Sequence, residues 1–168
     1  MHKDGCTKIG NNNLLMIGVH IGHDCTLEDK IVMSNYTQIS GHCKIETGVW
    51  LSGMVLLHQF VTIGKWSYAA GMTGINHDVP PFVIVSGHYP PEIRGINKRG
   101  LLRAGLSEES QKKIFEAFKK LYRKGPLLEN AKALAQQDGL DENVKAMLDI
   151  ILNSSKHRYG RYLETFRH

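Results

Sequence analysis

Every sixth residue from Ile9 onward is apolar: Ile9, Leu15, Ile21, Leu27, Met33, Ile39, Ile45, Leu51, Leu57, Ile63, Ala69 and Ile75. The residue four later is mostly small or β-branched, as at Val19, Cys25, Thr37, Cys43, Val49, Val55 and Val61. Glycine often follows the aliphatic position, at Gly10, Gly22 and Gly64. A helix with roughly 3.6 residues per turn cannot hold that phase over so long a stretch. An ordinary antiparallel sheet needs turn signals between its strands, and they are sparse here. A fixed short period is instead the signature of a repeat architecture.

The pattern resembles the hexapeptide repeat of left-handed parallel β-helices. In such proteins each hexapeptide makes one short strand and three make one triangular coil. The resemblance implies an inward aliphatic residue, a second inward small residue four later, and about four coils. The fold class expected is therefore a single-stranded left-handed parallel β-helix over residues 1–86, then a loop and a small α-helical domain over 87–168. Pro80 and Pro81 should end the strands, because proline cannot donate to a ladder. A loop to about Gly105 should follow. Ser107 and Asp141 look like helix N-caps, and residues 127–137 look helical. The stripes Ile114, Phe118, Leu121, Tyr122 and Val144, Met147, Leu148, Ile151 read as core.

If one coil is eighteen residues, residues that far apart stack at about 4.8 Å. His23, Gly41, Gln59 and His77 then form one column. Asp24, His42, Phe60 and Asp78 form the next, and Gly22, Ser40, His58 and Asn76 a third. His23, Asp24, His42, His58 and Gln59 converge on one edge although the chain scatters them. The remaining histidines, His2, His77, His88, His157 and His168, read as solvated.

Composition excludes several classes. Among 168 residues, no apolar run approaches the roughly 20 needed to span a membrane. The polar start, Met1 to Gly10, has no signal-peptide character, so a cytoplasmic protein without stable membrane insertion is expected. Three cysteines, Cys6, Cys25 and Cys43, do not suggest a disulfide framework or a zinc ribbon. Cys25 and Cys43 fall on inward positions and read as core. The net charge of +5 is not gathered into a nucleic-acid-binding tail, and no nucleic-acid partner is expected. The densest basic stretch is Arg94, Lys98, Arg99 and Arg103, suited to a diphosphate or an acidic protein.

A histidine beside a carboxylate is the usual arrangement of a general base, the carboxylate fixing the tautomer. His23 and Asp24 fit it. No nucleophile elbow is evident, so direct transfer is expected rather than a covalent acyl-enzyme. Gly41, one coil above His23, could offer a backbone N–H to an oxyanion.

The blocks "NNNLLMIGVHIGHDC", "ISGHCKI", "LHQFVTIG", "HDVPPFVIVSG" and "GINKRGLLRAGLS" occur in an order that resembles one family. It is the family of acyl-carrier-protein-dependent UDP-N-acetylglucosamine O-acyltransferases, which open lipid A synthesis. The resemblance implies His23 as base, Asp24 as its orienter and Gly41 as oxyanion donor. It implies substrate contacts for His20, His42, His58, Gln59, Asn97 and Arg103, and places Gly71 where acyl-chain length is set. The implied reaction moves a 3-hydroxyacyl group from acyl carrier protein to the sugar 3-hydroxyl within a homotrimer. No metal and no organic cofactor is implied; the phosphopantetheine arrives on the carrier protein.

The chain departs from that family in three places. Relatives carry further coils, with a substrate-contacting lysine, ahead of "NNNLLM". Arg103 is followed by Ala104 rather than a second arginine, and Arg99 stands where an acidic residue is usual. Three other readings stay open: a non-catalytic trimer that binds nucleotide sugar, a hexapeptide transferase using acetyl-CoA, and a zinc enzyme of the γ-carbonic-anhydrase kind using His20, His23 and His42.

Overall fold

The structure, a computed structural model, describes residues 5–123 and 125–167; His2 and His168 lie outside them. Two-residue strands recur every six residues from β1 (Lys8–Ile9) to β12 (Gly74–Ile75). They assemble into three parallel ladders, the faces of a triangular prism. The first ladder stacks β1, β4 (Thr26–Leu27), β7 (Lys44–Ile45) and β10 (Thr62–Ile63). The second begins with β2 (Leu14–Leu15), β5 (Val32–Met33), β8 (Trp50–Leu51) and β11 (Tyr68–Ala69). The third stacks β3 (His20–Ile21), β6 (Gln38–Ile39), β9 (Leu56–Leu57) and β12. Partners such as Lys8 and Thr26, or His20 and Gln38, are one eighteen-residue coil apart. This is the left-handed β-helix of about four coils that the period predicts.

The inward positions fill the prism. Leu27, Met33, Ile39, Ile45, Leu51 and Ile63 are buried, as are Cys25 and Cys43. Ile9 and Leu15, at the end of the prism, remain exposed. The corners have their own beat. Three residues after each aliphatic the backbone enters the left-handed region: Asn12, Asp24, Lys30, Tyr36, His42, Met54, Phe60, Trp66 and Met72 all have φ between 57° and 67°. Gly18 and Gly48 hold the same beat. A left-handed conformation costs an L-residue about 1–2 kcal/mol. Packing between coils offsets it. A Cβ on Gly18 would enter the Tyr36 ring above, and one on Gly48 would enter Trp66.

Two expectations need correction. The register changes before the prolines: Val79 lies over Ile63, sixteen residues back, because the corner after Ile75 is two residues shorter. The ladder also continues beyond them. β13 (Val83–Ser86) adds to the second sheet in parallel, and β14 (Glu92–Ile96) returns antiparallel to it. Pro80 and Pro81 sit in the connection, where no ladder donor is required. The expected loop to Gly105 is therefore largely ordered, and α1 (Lys98–Arg103) follows at once.

The helices stand as expected. Ser107 caps α2 (Glu108–Tyr122) by accepting from the Ser110 N–H, and Asp141 caps α4 (Glu142–Ser154) by accepting from the Asn143 N–H. Between them lies α3 (Leu127–Ala135). Ile114, Leu121, Val144, Met147, Leu148 and Ile151 are buried. No helix among the described residues is long and apolar enough to cross a membrane.

The segment after α4 returns to the last coil. Asp78 accepts from the Thr62 and Tyr162 N–H groups at 2.7 and 2.9 Å, and its own N–H donates to Gly160. Arg161 donates to the Asn76 carbonyl at 2.8 Å and pairs with Glu164. His77 is half-buried rather than solvated, and burial together with Arg161 lowers its pKa. Burial is the main influence on Asp78 and raises its pKa to about 6, against the opposing pull of the two N–H groups and Arg161. The folded protein thus holds this proton more tightly than the unfolded chain does. Its stabilising effect is full below the ordinary carboxylate range and is lost as pH rises through about 6. The stability of the parent relative to Asp78→Asn should fall by up to about 3 kcal/mol between pH 4 and 7 in urea titrations. A difference independent of pH would refute this.

Candidate active site

His23 and Asp24 lie on the corner between the third and first sheets, between β3 and β4. The left-handed turn at Asp24 tips its carboxylate back toward the preceding residue. His23 Nδ1 lies 2.6 Å from Asp24 Oδ2. With the carboxylate ionised, Nδ1 carries the proton and donates it, leaving Nε2 bare. The His23 side chain is 63% exposed and that of Asp24 11%, so the acceptor is shielded while the imidazole faces solvent.

Gly41 lies above the His23 ring. A Cβ there would come within 2.8 Å of Nε2 and Cε1. The absent side chain is what lets the imidazole rest against the next coil. Among the described residues the Gly41 N–H has no recorded acceptor, while the neighbouring His42 N–H donates to the His23 carbonyl at 2.9 Å. The His23 imidazole thus rests against the Gly41 backbone.

The second column completes the corner. His42 Nε2 lies 3.8 Å from Asp24 Oδ2. The His42 ring meets His23 edge-on at 4.9 Å and stacks on Phe60 at 4.6 Å, with the planes 6° apart. Phe60 is buried, and Arg167 lies over it at 5.8 Å. Phe60 continues the Asp24–His42 column, and its stacking on the His42 ring is a role the column alone does not announce. His58 and Gln59 lie one coil further, with His58 Nδ1 3.2 Å from the Gln59 carbonyl.

Other expected site residues lie elsewhere on the prism. His20 is exposed in β3, on the third sheet. Gly71 is exposed at the corner between the second and third sheets, and a Cβ there would meet only the Gly53 carbonyl, at 3.4 Å. Asn97 and Arg103 border a cavity of about 620 Å³ over the second sheet. Asn97 has both side-chain groups engaged: Oδ1 accepts from Gly100 N–H and Nδ2 donates to the Trp66 carbonyl. In this chain it pins α1 to the coil. Arg103 lies 5.3 Å from the Trp50 ring and 5.4 Å from the Trp66 ring, a cation–π arrangement that holds its guanidinium at the cavity. Lys98, Arg99, Ser52 and Tyr68 line it too. Arg94 does not; it pairs with Glu92. The two tryptophans were missed in the sequence. The signal was there, since Trp66 falls on the corner beat and Trp50 on an outward strand position.

Stacked hexapeptide coils carrying an outward His–Asp pair define a hexapeptide-repeat β-helix protein. A family model described as "Udp N-acetylglucosamine O-acyltransferase; Domain 2" matches residues 78–160. The acyl-[acyl-carrier-protein]–UDP-N-acetylglucosamine O-acyltransferase of Gloeothece citriformis is 42% identical over 125 residues, 74% of this chain and 45% of that protein. Its counterpart in Paraburkholderia phymatum is 38% identical over 158 residues, covering 90% and 60%. The crystal structure of the UDP-N-acetylglucosamine acyltransferase of Francisella novicida superposes with a TM-score of 0.81 at 36% identity, over 90% of this chain and 55% of that one. The chain is thus similar to UDP-N-acetylglucosamine O-acyltransferases in sequence and in fold. It spans about half the length of the curated relatives it matches.

Directly behind the His23–Asp24 pair lie Cys25 and Cys43, one coil apart. Cys25 Sγ contacts the Ser40 carbonyl at 3.1 Å and Cys43 Sγ the His58 carbonyl at 3.2 Å. Each thiol is the main influence on the other's titration, lowering Cys25 to about 7 and raising Cys43, with burial pushing both up. Acidity alone would make Cys25 reactive, but both side chains are shut off from solvent, whereas Cys6 is exposed. A thiol-selective disulfide reagent at pH 8 should therefore modify only Cys6 in the native protein, and Cys25 and Cys43 only after denaturation. Rapid native labelling of Cys25 would show that the coil opens there.

Proposed function

We propose that the chain carries the O-acyltransferase chemistry of its relatives' names: transfer of an acyl group from acyl carrier protein to UDP-N-acetylglucosamine, with His23 as general base. The observation that carries the reading is the His23–Asp24 hydrogen bond with Nε2 set beside the Gly41 backbone. Nε2 takes the proton of the sugar 3-hydroxyl as that oxygen attacks the thioester carbonyl. The carbonyl oxygen, now negative, accepts from the Gly41 N–H. When the intermediate collapses, the C–S bond breaks and the imidazolium returns the proton to the phosphopantetheine sulfur. Asp24 holds the ring in the required tautomer throughout and stabilises its charged form. No metal or organic cofactor has a part in these steps.

The base and the cavity bordered by Arg103 lie on different sides of the prism. A homotrimer packed face to face would bring the corner of one chain to the cavity of the next, and closed symmetry makes three equal sites. In that arrangement Arg99 and Arg103 suit the diphosphate, and the aromatic wall of Trp50 and Tyr68 suits the nucleoside. Gly71 leaves room for a long acyl chain, and His20, His42, His58 and Gln59 border the sugar. The reaction belongs in the cytoplasm, where the carrier protein is charged.

In a coupled assay with acyl carrier protein, His23→Ala should lower the turnover number by roughly 100-fold to 10,000-fold. Gly41→Ala should also be impaired while remaining folded, because its methyl displaces the His23 ring. His20→Ala should lose less, chiefly through KM. Near-full turnover of His23→Ala with its fold intact would remove His23 as base. No turnover by the parent chain, with nucleotide sugar still bound, would favour the non-catalytic reading.

A further inference from the structure

The corner that carries the base is also built like a metal site. One ligand atom each from His23, Asp24 and His42 fall within 4.8 Å of one another. We propose that these three side chains form a binding site for a divalent transition metal of the zinc type, and that its occupancy switches the His23 tautomer and disables the residue as a base. The binding half of this inference stands on geometry; the inhibitory half rests on the acyl-transfer reading.

The donor set selects the ion. Two imidazoles and one carboxylate suit zinc or cobalt, whereas magnesium and calcium prefer oxygen cages. Zinc holds nitrogen and oxygen at about 2.0–2.2 Å, so tetrahedral ligand atoms lie about 3.4 Å apart. Asp24 Oδ2 is 2.6 Å from His23 Nδ1 and 3.8 Å from His42 Nε2, on either side of that value. The third pair, His23 to His42, lies within 4.8 Å, so the three side chains close on an ion by rotations that move the ligand atoms on the order of an ångström. The main chain is already fixed, because His23 and His42 stand on adjacent coils in a stacked register. The exposure of His23 leaves the remaining coordination position to water. Cys25 and Cys43 face the core, so the softer thiolates do not compete for the ion.

The consequence follows from which nitrogen is engaged. In the metal-free protein Nδ1–H donates to Asp24 and Nε2 is bare. A metal on Nδ1 takes the place of that proton, and the ring, staying neutral, carries its proton on Nε2. With Nε2 protonated, the nitrogen beside Gly41 can no longer accept a proton. Asp24, drawn to the metal, no longer supports an imidazolium. Metal and catalysis thus make mutually exclusive use of His23 and Asp24.

Zinc chloride and cobalt chloride, added separately to chelator-treated full chain, test this by equilibrium dialysis and by cobalt absorption in the visible. One ion per chain, with the strong absorption of tetrahedral cobalt, is expected at micromolar free metal. His23→Gln and His42→Ala should each weaken binding at least about tenfold, while His88→Ala should not. Nitrogen-15 spectra of the histidine rings should move the His23 proton from Nδ1 to Nε2 on zinc addition. Absence of binding at tens of micromolar zinc, or binding unchanged in both His23→Gln and His42→Ala, would overturn the proposal, as would a bound form that keeps the Nδ1 proton. These readouts need no turnover. Lack of acyl transfer by metal-free protein would instead strike the function proposed above and leave the metal site standing.

Discussion

The structure depends on a stacking register of eighteen residues, closed by hydrogen bonds between adjacent coils. Each coil alone is three two-residue strands, too short to persist in isolation. Stacked, the aliphatic side chains of one coil cover those of the next, and Leu27, Ile45 and Ile63 make one continuous buried row. The register converts distance along the chain into adjacency in space. His23 and Gly41 meet because eighteen residues separate them, and the same holds for Asp24 and His42. A shift of one residue in any coil would move inward side chains outward and scatter the polar edge.

Much of this was legible in the sequence because the period is short and each beat has one physical role. The inward aliphatics, the stacked columns and the buried cysteines follow from counting. The helical caps at Ser107 and Asp141 follow from local chemistry, a short polar side chain satisfying free N–H groups. What counting missed lies where the period fails. The corner after Ile75 drops two residues, and β13 and β14 add to a sheet without repeating the hexapeptide. Prolines mark the end of regular donors, but they do not forbid a ladder that resumes after them.

The candidate site was legible in part, and for the same reason. His23, Asp24, Gly41 and His42 belong to the repeat, so their convergence is a matter of arithmetic. Asn97 and Arg103 lie beyond it, and their surroundings depend on how α1 packs over the second sheet. There the structure separates two roles that look alike in sequence. Asn97 has its side chain fully engaged as a cap and a strut, while Arg103 rests between two indole rings with its guanidinium turned to a cavity. An arginine at such a position keeps its donors available, because stacking uses the faces of the guanidinium and not its edge.

The corner beat explains why the polar edge is made of these residue types. Asp24, His42 and Phe60 occupy the same left-handed position in successive coils, at φ of 60°, 62° and 67°. Aspartate and histidine tolerate that region better than most residues, whereas phenylalanine does not. Phe60 is buried against His42, and the stacked rings offset the strain locally. The carboxylate that accepts from His23 is thus placed by a backbone conformation that the coil requires anyway. Positioning of the His–Asp pair needs no separate loop, since it uses a turn every coil already makes. The edge can then change chemistry by changing a corner residue, as it does from Asp24 to Phe60, while the prism behind it stays the same.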